Sequence, residues 1–209
     1  MTTSTTAAAI RELKGRSDFL EIVEEISRAR ADEAERRQRH VDEMVPGDRS
    51  EFINGEIIMP SPWKIRHTDL TEAIYDLMKA HVRERQLGRV GSQSFMCRFS
   101  RNDYYPDICY WPRDVDEEFD PDQSIVPPPL LAVEVLSEST KHRDRGIKFE
   151  DYAAGGVREY WIVDPDARTI EQYVSDDRVP YRLLRKLDEG KLKCVVIDGF
   201  ELDVASVFE

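Results

Sequence analysis

The run Leu130-Leu131-Ala132-Val133-Glu134-Val135-Leu136 constrains the fold most. A short, nearly unbroken apolar stretch of this kind reads as a central β-strand buried on both faces, so the strands around it must form a sheet covered on both sides. Glu134 is the exception within it. An ionised carboxylate in such surroundings is driven to neutralise unless something compensates its charge. The candidates are a metal ion, a Lys or Arg, or a set of backbone donors. A second lone acid, Asp107, stands in the similar run Tyr104-Tyr105-Pro106-Asp107-Ile108-Cys109-Tyr110-Trp111. Two isolated carboxylates on neighbouring strands suggest a site for a hard divalent cation, which takes oxygen ligands.

Around these strands the chain reads as a mixed α/β (α+β) sheet with flanking helices. Residues 1–9 look disordered. From about Ser17 to His40 the pattern is helical, with Phe19, Leu20, Ile22, Val23 and Ile26 forming an apolar stripe that fades into a charged stretch. Such a helix is an extended arm or binds a partner, and Pro46-Gly47-Asp48 ends it. This gives two regions: a tail with a helical extension over 1–45, and a domain over 46–209. Within the domain, Asn54-Gly55 between Glu51-Phe52-Ile53 and Glu56-Ile57-Ile58 predicts a hairpin with a type I′ turn. Pro60-Ser61-Pro62 leads into a helix whose apolar face is Leu70, Ile74, Leu77, Met78 and Val82, ending near Gly88. Strands are expected near 90–99, 104–111, 159–163, 170–174, 181–187 and 191–197. Pro127-Pro128-Pro129 stiffens the entry to the Glu134 strand, and a helix from about Asp144 to Ala154 should stop at Gly155-Gly156.

Composition narrows the class. No apolar stretch approaches the roughly 20 residues of a membrane span, and the N-terminus lacks the basic and apolar regions of a signal peptide. Cys97, Cys109 and Cys194 are odd in number and widely spaced, so free thiols are expected, with no zinc site, in the cytoplasm. A net charge of -12 argues against general nucleic-acid binding. The charge is uneven, however: Asp114 to Asp122 is dense in acid, while Lys141, His142, Arg143, Arg145 and Lys148 make a basic patch beyond Glu134. That patch reads equally as a nucleic-acid contact or as a solvated helix end.

Asp107, Glu134 and Lys148 together fit metal-assisted phosphodiester hydrolysis. Two carboxylates hold Mg²⁺, and a lysine orients the attacking water or offsets charge on the phosphorane. Tyr152 lies four residues beyond Lys148 and shares its helical face, within reach of Lys148 or of a phosphate. Ser137 has no His and Asp in recognisable order around it, and no Walker loop or dinucleotide fingerprint is present.

The residues that carry a wider resemblance run in order along the chain. They are Glu51-Phe-Ile-Asn-Gly-Glu56, Pro60-Ser-Pro62, His67, Tyr105-Pro-Asp107, Val133-Glu-Val-Leu-Ser137, Lys148, Tyr152, Gly156-Val-Arg-Glu-Tyr-Trp161-Ile-Val-Asp-Pro165, Asp198-Gly-Phe-Glu-Leu202 and Val204-Ala-Ser-Val-Phe208. From about residue 45 to the end the chain resembles the Uma-two family, a bacterial group of restriction-endonuclease-like proteins in the PD-(D/E)XK nuclease superfamily. The resemblance implies a restriction-endonuclease-like core and a Mg²⁺-dependent DNA endonuclease, with Mn²⁺ as a substitute. Asp107 and Glu134 would be the metal-binding acids, the Val135 carbonyl a third oxygen ligand and Lys148 the catalytic lysine. Glu51 would complete the metal shell or bind a second ion. The superfamily's usual lysine falls two residues after the second acid, where this chain has Leu136; the Uma-two pattern moves it to the next helix. Members of the superfamily often work as dimers, a role open to the N-terminal helix.

Each residue also has a plainer reading. Asp107 follows a proline and suits a strand-end turn. Glu134 could pair with Lys148 or Arg145 in a salt bridge that involves no metal. Lys148 alone resembles an exposed helix lysine, and Glu51 a solvated strand residue. His67 either contacts substrate or caps the helix and packs against Trp63. Tyr152 and Trp161 suit the core. A protein that keeps the fold and binds nucleic acid or a protein partner without turnover is the alternative function.

Overall fold

The computed structural model describes residues 2–62, 64–176 and 180–209. The chain divides into two compact units, Met1–Asp48 and Arg49–Glu209. The first consists of helices α1 (Thr2–Lys14) and α2 (Phe19–Glu43). Over residues 2–9 the tail expected to be disordered is helical instead. Ala7-Ala8-Ala9 have the highest helix propensity and outweigh the β-branched threonines before them. In α2, Leu20, Val23 and Ile26 are exposed.

The second unit begins with strands β1 (Glu51–Ile53) and β2 (Glu56–Ile58), then helix α3 (Ile65–Glu84), β3 (Gly88–Gly91), β4 (Met96–Arg98), β5 (Asp103–Tyr104) and β6 (Ile108–Pro112). Next come a single helical turn α4 (Arg113–Asp116), β7 (Ile125–Val126) and the apolar strand β8 (Leu131–Val135). After β8 lie a turn of helix α5 (Lys141–Asp144) and helix α6 (Ile147–Gly155), then β9 (Glu159–Asp164), β10 (Thr169–Val174), β11 (Arg182–Leu187), β12 (Lys191–Lys193), β13 (Glu201–Asp203) and a closing 3-10 turn, Ala205–Phe208.

Among the described residues, one sheet has the order β11-β10-β9-β8-β6-β3 and a second the order β2-β1-β5-β4-β7, with β12 and β13 paired apart. β8 is central in the first sheet, antiparallel to β6 and parallel to β9, with α5 and α6 as the crossover. Alternation along β8 sends Leu131, Val133 and Val135 into one core and Ala132 into the other. The first core is filled by the α3 stripe Leu70, Ile74, Met78 and Val82, at a spacing of four residues. Leu77 was expected in that stripe but is 48% exposed, because it falls to the side of the four-residue row. The second core brings Tyr152 of α6 against Tyr104, Phe99 and Tyr160.

Three local expectations need revision. The strand predicted over 90–99 is two strands in different sheets, divided where Gln93 takes a left-handed φ of 48°. The strand predicted over 104–111 breaks at Tyr105-Pro106-Asp107, since proline cannot donate to a ladder. The strand predicted over 191–197 stops at Lys193, because the Val195 and Val196 N–H groups turn to the buried Glu159 carboxylate, at 2.7 and 3.0 Å. The Asn54-Gly55 hairpin forms with φ of 52° and 87°, and α6 ends at Gly156 with a φ of 90°. All three cysteines are free thiols, and Cys97 and Cys109 are buried. No described helix is long and apolar enough to cross a membrane.

Candidate active site

Strand register brings the two acids together. β6 and β8 pair as Ile108 with Val133, Cys109 with Ala132 and Tyr110 with Leu131. Continued by one residue, this register sets Asp107 opposite Glu134. Parity agrees with it: Cys109 and Trp111, on the Asp107 side of β6, lie in the same core as Ala132, on the Glu134 side of β8. Asp107 lies in the break between β5 and β6, where its carboxylate is free of the strand ladder. Its Oδ2 accepts a 2.8 Å bond from the Val135 N–H, tying it across to β8 beside Glu134.

Glu134 is 3% exposed, and its Oε1 accepts from the Lys148 ammonium at 3.0 Å and from the Tyr152 hydroxyl at 2.6 Å. Both donors come from one face of α6, as their four-residue spacing requires. Lys148 is buried as well, and its Nζ also meets Glu51 Oε1 at 3.0 Å and Asp144 Oδ1 at 3.5 Å. Below the ammonium lies the Tyr104 ring, 5.6 Å to its centroid, pinned by a 2.7 Å bond from its hydroxyl to Asp151. Lys148 is thus neither an exposed helix lysine nor a simple partner of one acid. Burial pushes the Glu134 carboxyl well above the usual carboxylate range; Lys148 opposes this, while Asp144, Asp107 and Glu51 add to it. The same acids outweigh the burial of Lys148 and hold its ammonium strongly protonated.

His67, at the start of α3, approaches Asp107 Oδ2 through Nε2 at 3.2 Å. Gln93 completes the set, donating to Asp107 Oδ1 at 2.7 Å. Burial would raise Asp107, yet His67, the Val135 N–H and Gln93 together hold it below the usual range. Burial would lower His67, and Asp107 instead raises it. The expected packing of His67 on Trp63 lies outside the described residues. Glu51, expected in a metal shell or on the surface, accepts from the Tyr105 N–H at 3.1 Å and faces Lys148. Tyr152 is wholly buried and bonds Glu134 rather than Lys148. Trp161 is buried and donates to Glu159 at 2.7 Å, away from these groups.

Glu51, His67, Gln93, Asp107, Glu134 and Lys148 line one cavity of about 520 Å³. Leu136, at the superfamily's lysine position, lines it too. Cationic side chains from Arg49, Lys64, Arg66 and Lys141 reach the same cavity. The basic patch expected beyond Glu134 is therefore only partly a patch. Lys148 points inward to the acids, Arg145 forks onto Glu171 at 2.7 and 3.1 Å, and Lys141 pairs with Glu138 at 2.9 Å. Sequence reasoning missed two residues. Gln93 gave no signal beyond polarity. Asp144 sits four residues before Lys148, a helical spacing that marks a facing pair.

Among the described residues, no three acids, histidines or cysteines gather closely enough to ligate one ion. The donors that suit a hard cation are instead the carboxylates of Asp107, just before β6, and Glu134 on β8. Charge balance favours such a cation. Four buried or half-buried acids, Glu51, Asp107, Glu134 and Asp144, are paired among the described residues with Lys148 and His67. Burial raises Glu134 and Asp144 first, and the neighbouring acids add to it.

A family model described as "Putative restriction endonuclease" matches residues 34–205. The chain belongs to the Uma2 family. The Uma2 match begins inside α2 rather than near residue 45, so part of the helical arm is within the family pattern. An uncharacterized protein of Synechocystis is 30% identical over 131 residues, which are 60% of this chain and 72% of that protein. The fold is similar to the crystal structure of a putative nuclease of the DUF820 group from Anabaena variabilis. Its TM-score is 0.66 at 18% identity, covering 76% of this chain and 89% of that one. The Uma2 chain therefore has a restriction-endonuclease-like fold.

Proposed function

We propose that residues 46–209 form a divalent-metal-dependent endonuclease that hydrolyses DNA phosphodiester bonds in the cytoplasm. The observation that carries this reading is the meeting of Asp107, Glu134 and Lys148, remote in sequence, on one cavity edged by cationic side chains. Asp107, Glu134 and the Val135 carbonyl would hold the ion, Mg²⁺ by preference and Mn²⁺ as a substitute. When bound, such an ion polarises the phosphoryl oxygens and lowers the pKa of the attacking water. Lys148 keeps its proton and offers a fixed positive charge to the negative charge that grows on phosphorus in the transition state. His67 and Gln93 orient the Asp107 carboxylate, and Tyr152 orients that of Glu134. Lys64, Arg66 and Lys141 would draw the phosphate backbone to the mouth. Pairing of two copies, so that both strands are cut, would fall to the exposed stripe of α2.

Leu136 at the usual lysine position supports a second reading, a binding protein of the same fold without turnover. Plasmid cleavage with Mg²⁺ or Mn²⁺ separates the two. The nuclease reading expects cutting by the wild type, loss of it in Asp107→Ala and Glu134→Ala, and a drop of about 10²–10³ in rate for Lys148→Ala, as for removal of one charge-stabilising donor. Absence of cutting on duplex, single-stranded and branched DNA and on RNA, with no Mn²⁺ bound in calorimetry, would leave the binding reading standing.

A further inference from the structure

Asp144 is the group that the proposed chemistry does not use. It ends α5 with its backbone carbonyl held by the Tyr160 hydroxyl at 3.0 Å, and the residue is 1% exposed. Among the described residues its carboxylate has no hydrogen-bond donor beyond the neighbouring Thr140 side chain. Its one close cation is Lys148, at 3.5 Å, half an ångström farther than Lys148 lies from Glu134 and Glu51. A buried carboxylate with open acceptor positions beside a shared ammonium is an incomplete pair. Glu134 has the opposite problem. Its Oε1 already carries Lys148 and Tyr152, so a cation that takes this oxygen must displace the ammonium.

We infer that Lys148 is the resident counter-ion of Glu134, and that Asp144 is a positioning residue which receives the ammonium when a divalent cation takes Glu134. This rests on the metal reading above. The shift is short, keeps Lys148 paired in a buried place where an unpaired charge would be costly, and gives Asp144 a charged donor. The same displacement leaves Lys148 beside the cation rather than on its ligand, where a positive charge can face the phosphate. Glu51, at 3.0 Å from the ammonium and anchored by the Tyr105 N–H, is the fixed point about which the amine would move.

Mn²⁺ calorimetry on the full chain tests this with wild type, Asp144→Asn, Lys148→Met and the double variant. Without the Asp144 charge, Lys148 stays on Glu134 and competes with the ion. Asp144→Asn should then weaken Mn²⁺ by about 10-fold or more, the usual cost of losing an outer partner of a metal ligand. With Lys148→Met the competitor is gone, so Asp144→Asn should cost less than about 2-fold, a non-additivity that marks coupling through the lysine. An equal cost in both backgrounds would mean that Asp144 acts on the ion directly through its field, and no cost in either would mean that it does not act. Both overturn the inference while leaving the metal site intact. A wild type that binds no Mn²⁺ removes the metal reading and this inference together. Should Asp144→Asn fail to fold by circular dichroism, the Lys148 ammonium resonance decides on the wild type: displacement on Mg²⁺ saturation supports the shift, and an unmoved resonance overturns it.

Discussion

Buried charge at the scale of single residues explains why the cavity looks as it does. Asp107 and His67 each lie inside the protein, and each draws the other toward its charged form. The lowered Asp107 contributes stability that is fully present above its unfolded pKa of about 3.9 and is lost as pH falls through the folded value. The raised His67 contributes stability that is fully present below about 6.5 and is lost as pH rises through its higher folded value. The pair therefore stabilises most between about pH 4 and 6.5. His67→Leu, melted in the presence of a chelator, should lose about 1.5–3 kcal/mol at pH 6, as for a hydrogen bond to a charged group. That corresponds to a fall in Tm of roughly 3–12 °C. The gap to wild type should narrow on the alkaline side, and a gap constant from pH 6 to 9 would show that His67 acts by packing alone. Glu134 needed no structure to be singled out, because a lone acid in an apolar run has few bland explanations. Gln93 needed one, because nothing in its local sequence separates it from an ordinary surface polar residue, and Asp144 offered only its four-residue spacing to Lys148.

Among the elements, the break between α5 and α6 does most to aim the chemistry. One continuous helix from Asp144 to Ala154 was the simplest reading, since every residue but Gly146 is compatible with it. In the structure Gly146 interrupts the helix, with φ -117° and ψ -104°. A Cβ at that position would meet the His142 carbonyl oxygen at 2.7 Å, a contact backbone cannot relieve cheaply. The interruption lets α6 direct Lys148 and Tyr152 at Glu134 while Asp144 approaches from the turn before it. Gly146→Ala should therefore destabilise by about 1–3 kcal/mol and lower Tm by several degrees, with Mn²⁺ affinity falling too. Unchanged melting and unchanged affinity would mean that the interruption is incidental. The hairpin at Asn54-Gly55 and the stop at Gly156 could be read in advance, because positive φ angles demand those residues. The split at Gln93 could not, since nothing in the sequence marks its left-handed φ; the break at Pro106 could, since proline has no N–H to give a ladder.

For the molecule as a whole, a net charge of -12 and a cationic cavity mouth pull in opposite directions. If Arg49, Lys64, Arg66 and Lys141 each neutralise one phosphate, log Kd should change with log salt at a slope of about 3.6 in duplex DNA. Binding of the non-cleaving Glu134→Ala protein should thus weaken about a hundredfold between 50 and 200 mM salt. Replacing Lys64 and Lys141 by Ala should reduce the slope by about 2. A slope near zero in the parent would place DNA elsewhere on the surface. Arg66 is held by Asp166 at 2.8 Å and Lys141 by Glu138, so at both positions phosphate must compete with a carboxylate.

The amino-acid pattern alone determined that β8 is buried, that α3 carries an apolar face along Leu70, Ile74, Met78 and Val82, and that Glu134 must be compensated. These follow from local periodicity and from the cost of burying charge, both of which act within a few neighbouring residues. Only the tertiary structure decided that Asp107 stands across from Glu134, that Lys148 divides its ammonium among three acids, and that Gln93 and Asp144 join them. Those relations depend on strand order and register, where a slip of one residue would turn Asp107 to the other face, and register is set by the packing of the entire sheet.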